Sequence, residues 1–114
     1  MSAITVQEAV ILHLNRYSDR RPDVYLMPYG MTQDGIAAAL GISRAHASLE
    51  LKKLAGKGHV GSIIAHTPHA KRKRRTYYLE PCGKYVVTEI NERMIKERVK
   101  IVNLKQSVTG FLHP

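Results

Sequence analysis

A chain of 114 residues with 44% hydrophobic content can fill one core but would starve a second of apolar area. Its 18 Lys and Arg against 9 Asp and Glu leave a formal charge of +9, which invites a polyanionic partner. The single cysteine excludes an intrachain disulfide, and no stretch approaches the roughly 18 apolar residues of a membrane span.

Thr5-Val6-Gln7-Glu8 has the spacing of a capping box, in which the Thr hydroxyl and the Glu carboxylate each satisfy a free amide of the first turn. A first helix therefore starts near Thr5, with Val6, Val10, Leu14 and Tyr17 as its apolar stripe and Ala9 beside them. Residues 18–30 contain Asp19, Pro22, Asp23, Pro28 and Gly30 and read as a connecting loop, within which Val24-Tyr25-Leu26-Met27 could form a short strand. Thr32 then precedes a second helix that includes Ile36 to Leu40, and Gly41 supplies the left-handed residue that commonly ends a helix. Ser43 can cap a third helix running through Leu54, in which Ala47, Leu51 and Leu54 share a face.

Gly56, Gly58 and Gly61 end that helix, and Val60 to Ala65 follows as a β-branched strand candidate. His66 to Arg74 is polar and basic, and Thr76-Tyr77-Tyr78-Leu79 reads as the returning strand, so His59 to Glu80 forms a hairpin with a long charged tip. Pro81 fits the first turn of a last helix, which Val86 or Val87, Ile90 and Met94 carry to about Glu97. Beyond it Val99, Ile101 and Asn103 alternate with Lys100, Val102 and Leu104, which suits an extended tail; Ile95, Val99 and Val102 also fit a helical stripe. The expected architecture is α+β: a three-helix core, a β-hairpin wing and an additional C-terminal helix, with residues 1–97 as the domain and 98–114 as a tail that is extended or part of a dimer contact.

The segment from Met31 to Ser48 meets the steric demands of two closely crossing helices. Ala37 is small at the contact, Gly41 takes the turn's positive φ at little cost, and Ile36, Leu40, Ile42 and Ala47 fill the shared core. Downstream, Leu51-Lys52-Lys53-Leu54, Lys57-Gly58-His59-Val60 and Tyr77-Tyr78-Leu79-Glu80-Pro81-Cys82-Gly83 continue the pattern. Over about residues 5 to 95 the chain resembles the winged helix-turn-helix domains of the MarR-like and related archaeal-type transcriptional regulators. It departs from their usual pattern at Leu49, where a polar residue is expected, at Glu50, where an apolar one is, and at Glu80, where the usual residue is Thr.

The resemblance implies sequence-specific binding of double-stranded DNA. An α-helix fits the major groove, and the side of the third helix opposite Ala47, Leu51 and Leu54 carries Ala45, Ser48, Leu49 and Lys52, with His46 and Lys53 at its margins and Ser43 and Arg44 at its start. Arg44 could make a bidentate contact to guanine or clamp a phosphate, Ser48 can donate or accept, and Leu49 could lie against a thymine methyl. The consecutive Lys71, Arg72, Lys73, Arg74 and Arg75 of the wing suit phosphates or the minor groove and so serve affinity more than sequence choice.

Other readings of the same features belong to different classes. The fold can serve as a protein-interaction module, the basic run with Tyr77 and Tyr78 could bind RNA, and the chain could be the N-terminal regulatory module of a longer protein. His66 and His69 flank Thr67-Pro68 without the further ligands of a zinc site, and Cys82 reads as an ordinary thiol. The sequence shows no nucleophile with its base in a recognisable motif and no phosphate-binding loop, so neither an enzyme nor a cofactor is expected. A cytoplasmic protein without a membrane association, paired as a homodimer through its C-terminal helix, completes the expectation.

Overall fold

Helix 1 begins where local chemistry dictates. The Thr5 hydroxyl accepts from the Glu8 amide at 3.1 Å, and the Glu8 carboxylate accepts from the Thr5 amide at 3.0 Å. From this box α1 runs Val6–Asn15. The computed structural model describes residues 4–112, with side chains described for 4–98. The apolar stripe is wider than the sequence spacing indicates. Val6 and Ala9 are only half covered, whereas Ile11 and His13 are buried beside Val10 and Leu14. The cause is packing on several sides, because α1 contacts the second, third and last helices together. His13 sits 2.7 Å from the Gly30 carbonyl through Nε2, and Tyr17 packs edge-on against its ring after the helix has ended. A Cβ at Gly30 would overlap the Tyr17 hydroxyl, so a larger residue there would have to displace the Tyr17 ring.

The connection from α1 is irregular throughout, and Val24 to Met27 do not form a strand. Pro22 and Pro28 flank the segment, and the Asp23 carboxylate accepts from the Tyr25 amide at 2.9 Å, turning the backbone out of extended pairing. Two backbone–backbone hydrogen bonds tie it to the wing, Met27 N–H to the His66 carbonyl and His66 N–H to the Val24 carbonyl. They lay the loop across the base of the wing and bury Met27 completely.

A short 3₁₀ turn, Tyr29–Met31, leads into α2, Gln33–Leu40. Thr32 joins them: its hydroxyl donates to the Tyr29 carbonyl at 2.6 Å and accepts from the Gly35 amide at 3.0 Å. Gly41 ends α2 with φ at 66°, a left-handed conformation that costs glycine little. Ser43 then caps α3, Arg44–Gly56, through the His46 amide. The expected inner residues Ala47, Leu51 and Leu54 are buried, and Glu50 is buried with them.

The hairpin consists of β1, Val60–Ala65, and β2, Arg74–Leu79, antiparallel in register from Val60 opposite Leu79 to Ala65 opposite Arg74. The returning strand therefore starts two residues before the Thr76 expected from the sequence. An isolated bridge from Thr76 to Thr32 anchors the wing to the front of α2, and the Thr76 hydroxyl donates to the Ile63 carbonyl at 2.9 Å. Val60, Ala65 and Leu79 close the core formed by α1, Met27, Met31, Ile36, Leu51 and Leu54.

The last helix, α4, runs Pro81–Leu112 and corrects two expectations, its end near Glu97 and the extended tail. Between Lys84 and Thr109 no Gly or Pro interrupts the chain, so nothing in the backbone stops helix propagation, and the period-two alternation of 99–104 is overridden by the helical one. A helix this long spans about 48 Å at roughly 1.5 Å per residue. The molecule accordingly measures 66 Å along its longest axis and 23 to 26 Å across, with a radius of gyration of 18.1 Å where about 13 Å is usual for a compact chain this long. α4 is thus a shaft projecting from a compact head. A dimer contact by side chains beyond Arg98 lies outside the described side chains. Among the described residues no helix is long and apolar enough to cross a membrane.

Candidate nucleic-acid interface

Burying Ala47, Glu50, Leu51 and Leu54 leaves the opposite side of α3 exposed, because these positions recur with helical spacing. Ser43, Arg44, Ala45, His46, Leu49, Lys52 and Lys53 are exposed, and Ser48 is half covered. Leu49, 52% exposed, is a large apolar side chain on a face it shares with Ala45, Ser48 and Lys52. Ser43 spends its hydroxyl as acceptor on the His46 amide, which holds it at the helix start.

The polarity exchange between Leu49 and Glu50 has a structural resolution. Glu50 points inward toward α1, where Lys53 Nζ lies 3.4 Å and His46 Nε2 3.8 Å from its Oε1. A hydrogen bond from Gln7 and the neighbouring Lys53 and His46 hold its carboxyl below the usual carboxylate range, against the opposing effect of burial. His46 and Lys53 are therefore turned partly toward this carboxylate, and Lys57 Nζ donates to Gln7 at 2.8 Å on the same side. Glu8 is held below its ordinary range in the same way, chiefly by its hydrogen bond with Arg93 of α4, whose Nη1 lies 2.8 Å away.

At the other end of α3 the charges converge on α2. Asp34, in the first turn of α2, receives Arg44 Nε at 3.0 Å on Oδ1 and Arg74 Nη1 at 3.3 Å on Oδ2. Gln33 donates through Nε2 to the Arg44 carbonyl at 3.1 Å, fixing the start of α3 to the start of α2. One carboxylate thus brings together the first residue of α3 and the wing. Neither Gln33 nor Asp34 stood out in the sequence, where they read as ordinary polar residues of a helix start; the pairing partners come from 10 and 40 positions away.

The five basic wing residues divide by position. Arg74 and Arg75 lie on β2, the first tied to Asp34 and the second to the Ser62 hydroxyl at 2.9 Å, whereas Lys71, Arg72 and Lys73 occupy the exposed tip. Among the described residues none makes an ion pair with these three tip side chains. Tyr77 and Tyr78 are half-buried and pack against the core, and burial raises the Tyr77 phenol above its ordinary pKa. Cys82 is exposed, and among the described residues no group of three His, Cys, Asp or Glu gathers as a metal site would require.

No family model matches the sequence, and no curated protein does. Solved structures do match in shape. The transcriptional regulator PA3341 aligns over 86% of this chain at 19% identity with a TM-score of 0.58; the chain spans 62% of that protein's length. The MepR protein of S. aureus in its complex with DNA aligns over 93% of this chain and 73% of its own, at 22% identity and a TM-score of 0.57. The smu.1704 protein of Streptococcus mutans aligns over 92% of both chains at 16% identity and a TM-score of 0.63. The winged helix-turn-helix expected from the sequence is therefore the fold of this chain.

Proposed function

We propose that this chain binds double-stranded DNA in a sequence-specific manner and acts as a transcriptional regulator, without catalysis and without a cofactor. The observation that carries the reading is the position of Asp34, which bonds the first residue of α3 and the wing at once and so sets both on one side of the molecule. A duplex meeting that side can receive α3 in its major groove while the wing tip reaches the flanking backbone. Arg44, Ala45, Ser48, Leu49 and Lys52 are the base-facing candidates, with Ser43, His46 and Lys53 at the margin. Lys71 to Arg75 supply charge that is attracted to any sequence.

The solved neighbours support this reading, since one is named as a transcriptional regulator and another is held in a complex with DNA. The projecting α4 supports a homodimer, because a helix extending beyond its own head leaves a face for a second copy. Two copies would present two α3 helices to half-sites about one helical turn apart. The half-buried packing of Tyr77 and Tyr78 speaks against base stacking and hence against single-stranded RNA. A cytoplasmic location suits a DNA-binding regulator with one cysteine. The test is selection of bound sites from random duplexes followed by comparison with Arg44→Ala. Enrichment of a common site, with preference relaxed in Arg44→Ala, is expected. Recovery of unenriched sequence refutes specific binding.

A further inference from the structure

A carboxylate on a surface that meets phosphates is unfavourable at first sight, since it repels the very polymer the neighbouring arginines attract. Asp34 is nevertheless held in that position firmly. It belongs to the first turn of α2, whose start is fixed by the two hydrogen bonds of Thr32 and by the Gln33 bond to the Arg44 carbonyl. Its ion pairs are not a large source of fold stability, because the Arg44 side chain is 76% exposed and pairs in water contribute little. Their geometry has a different use. Arg44 meets Asp34 as an ion pair with Nε the near atom, 3.0 Å from Oδ1, so the terminal end of its guanidinium lies beyond that contact. Arg74 engages the other carboxylate oxygen, so both pairs can exist together.

We propose that Asp34 is a specificity-determining residue, a positioning carboxylate that aims the Arg44 terminal nitrogens at a guanine edge and locks the wing strand to the recognition helix. The proposal rests on the DNA-binding reading. A guanidinium whose Nε side faces a carboxylate can present its terminal nitrogens as a planar pair of donors of the spacing that guanine O6 and N7 accept. An unpinned arginine can instead rotate to any phosphate within reach, gaining affinity without discrimination. Asp34 thereby lowers attraction to arbitrary sequence while favouring the one arrangement in which base contact and wing contact coincide. It touches no base itself.

The experiment compares the full chain with Asp34→Asn and Asp34→Glu by fluorescence anisotropy. The probes are a duplex selected by the parent protein and a scrambled duplex of equal composition, each titrated over a salt series. In Asp34→Asn the affinity ratio between the two duplexes falls about five- to tenfold, within the discrimination one bidentate contact supplies. Binding to the scrambled duplex stays equal or rises, because a negative charge has gone. Asp34→Glu recovers part of the ratio. In an Arg44→Ala background, Asp34→Asn changes the ratio no further. A ratio that stays within twofold of the parent, or that falls as much in the Arg44→Ala background, overturns the proposal, as does an equal loss on both duplexes. If Asp34→Asn unfolds, Arg44→Lys decides: it keeps the charge and loses the fork, so the ratio must fall while scrambled binding holds, and a retained ratio overturns the proposal. A parent protein that binds both duplexes alike refutes specific DNA binding itself, before any variant is compared, and Asp34's assigned role falls with it.

Discussion

Replacing Lys71, Arg72 and Lys73 together by glutamine removes the three wing cations that lie exposed at the tip and have no ion-pair partner among the described residues. Arg74 and Arg75 remain, fixed by Asp34 and Ser62, so the hairpin keeps its register and its anchor on α2. If each tip cation meets one phosphate, the log–log salt slope becomes shallower by about 2.7 per protomer, at roughly 0.9 for each phosphate no longer neutralised. Between about 50 and 200 mM salt the parent then loses roughly 40-fold more affinity than the variant. The loss of affinity at low salt is the same for any duplex, because binding to phosphates carries no base information. Anisotropy titrations at four or five salt concentrations, with two unrelated duplexes, measure both quantities. A slope unchanged to within about half a unit would show that the tip does not touch the DNA backbone. A loss confined to one duplex would show that it reads sequence.

Gly41→Ala is expected to destabilise the head by about 1 kcal/mol in urea denaturation, since φ is 66° there and an added Cβ meets no atom, leaving only the backbone cost. Glu8 and Glu50 make the fold sensitive to acid. Both carboxyls are held below their ordinary value of 4.5, so their stabilisation is complete above that pH and is lost as pH falls through the lower folded-state values. A melting temperature that declines below about pH 4.5, and declines less in Glu8→Gln/Glu50→Gln, is expected. An unchanged acid limb in the double variant would remove these residues from the cause.

Much of the head was legible because its signals are local. Thr5 with Glu8, Thr32, Gly41 and Ser43 each act within a few residues, and each caps or ends the helix its spacing implied. The hairpin was legible for the same reason, its strands being β-branched and aromatic runs on either side of a polar loop. What sequence spacing concealed depends on the arrangement of distant elements. Ile11 and His13 are buried because several helices surround α1, which no single stripe records. Val24 to Met27 have strand composition, but their backbone–backbone bonds go to the single residue His66, so no ladder forms. The tail alternates with a period near two, yet without a breaker the helix already in progress continues through it.

The candidate interface was legible in charge and less so in geometry. The basic run and Arg44 were evident, whereas the link between them needed Asp34, a residue whose role exists only once α2, α3 and β2 have met. Glu50, out of pattern in the sequence, is accommodated because Gln7, His46 and Lys53 surround its carboxylate instead of the usual apolar neighbours.

The central claim is that α3 and the wing grip one duplex together. Titration of the parent protein with its selected duplex and a scrambled one over a salt series tests it most directly. The expected result is a slope of about −4 to −6 per protomer from five or six phosphates on both duplexes, with the selected site bound at least about tenfold more tightly at every salt. Absence of measurable duplex affinity at low salt, or equal affinity for both sequences throughout, would contradict it.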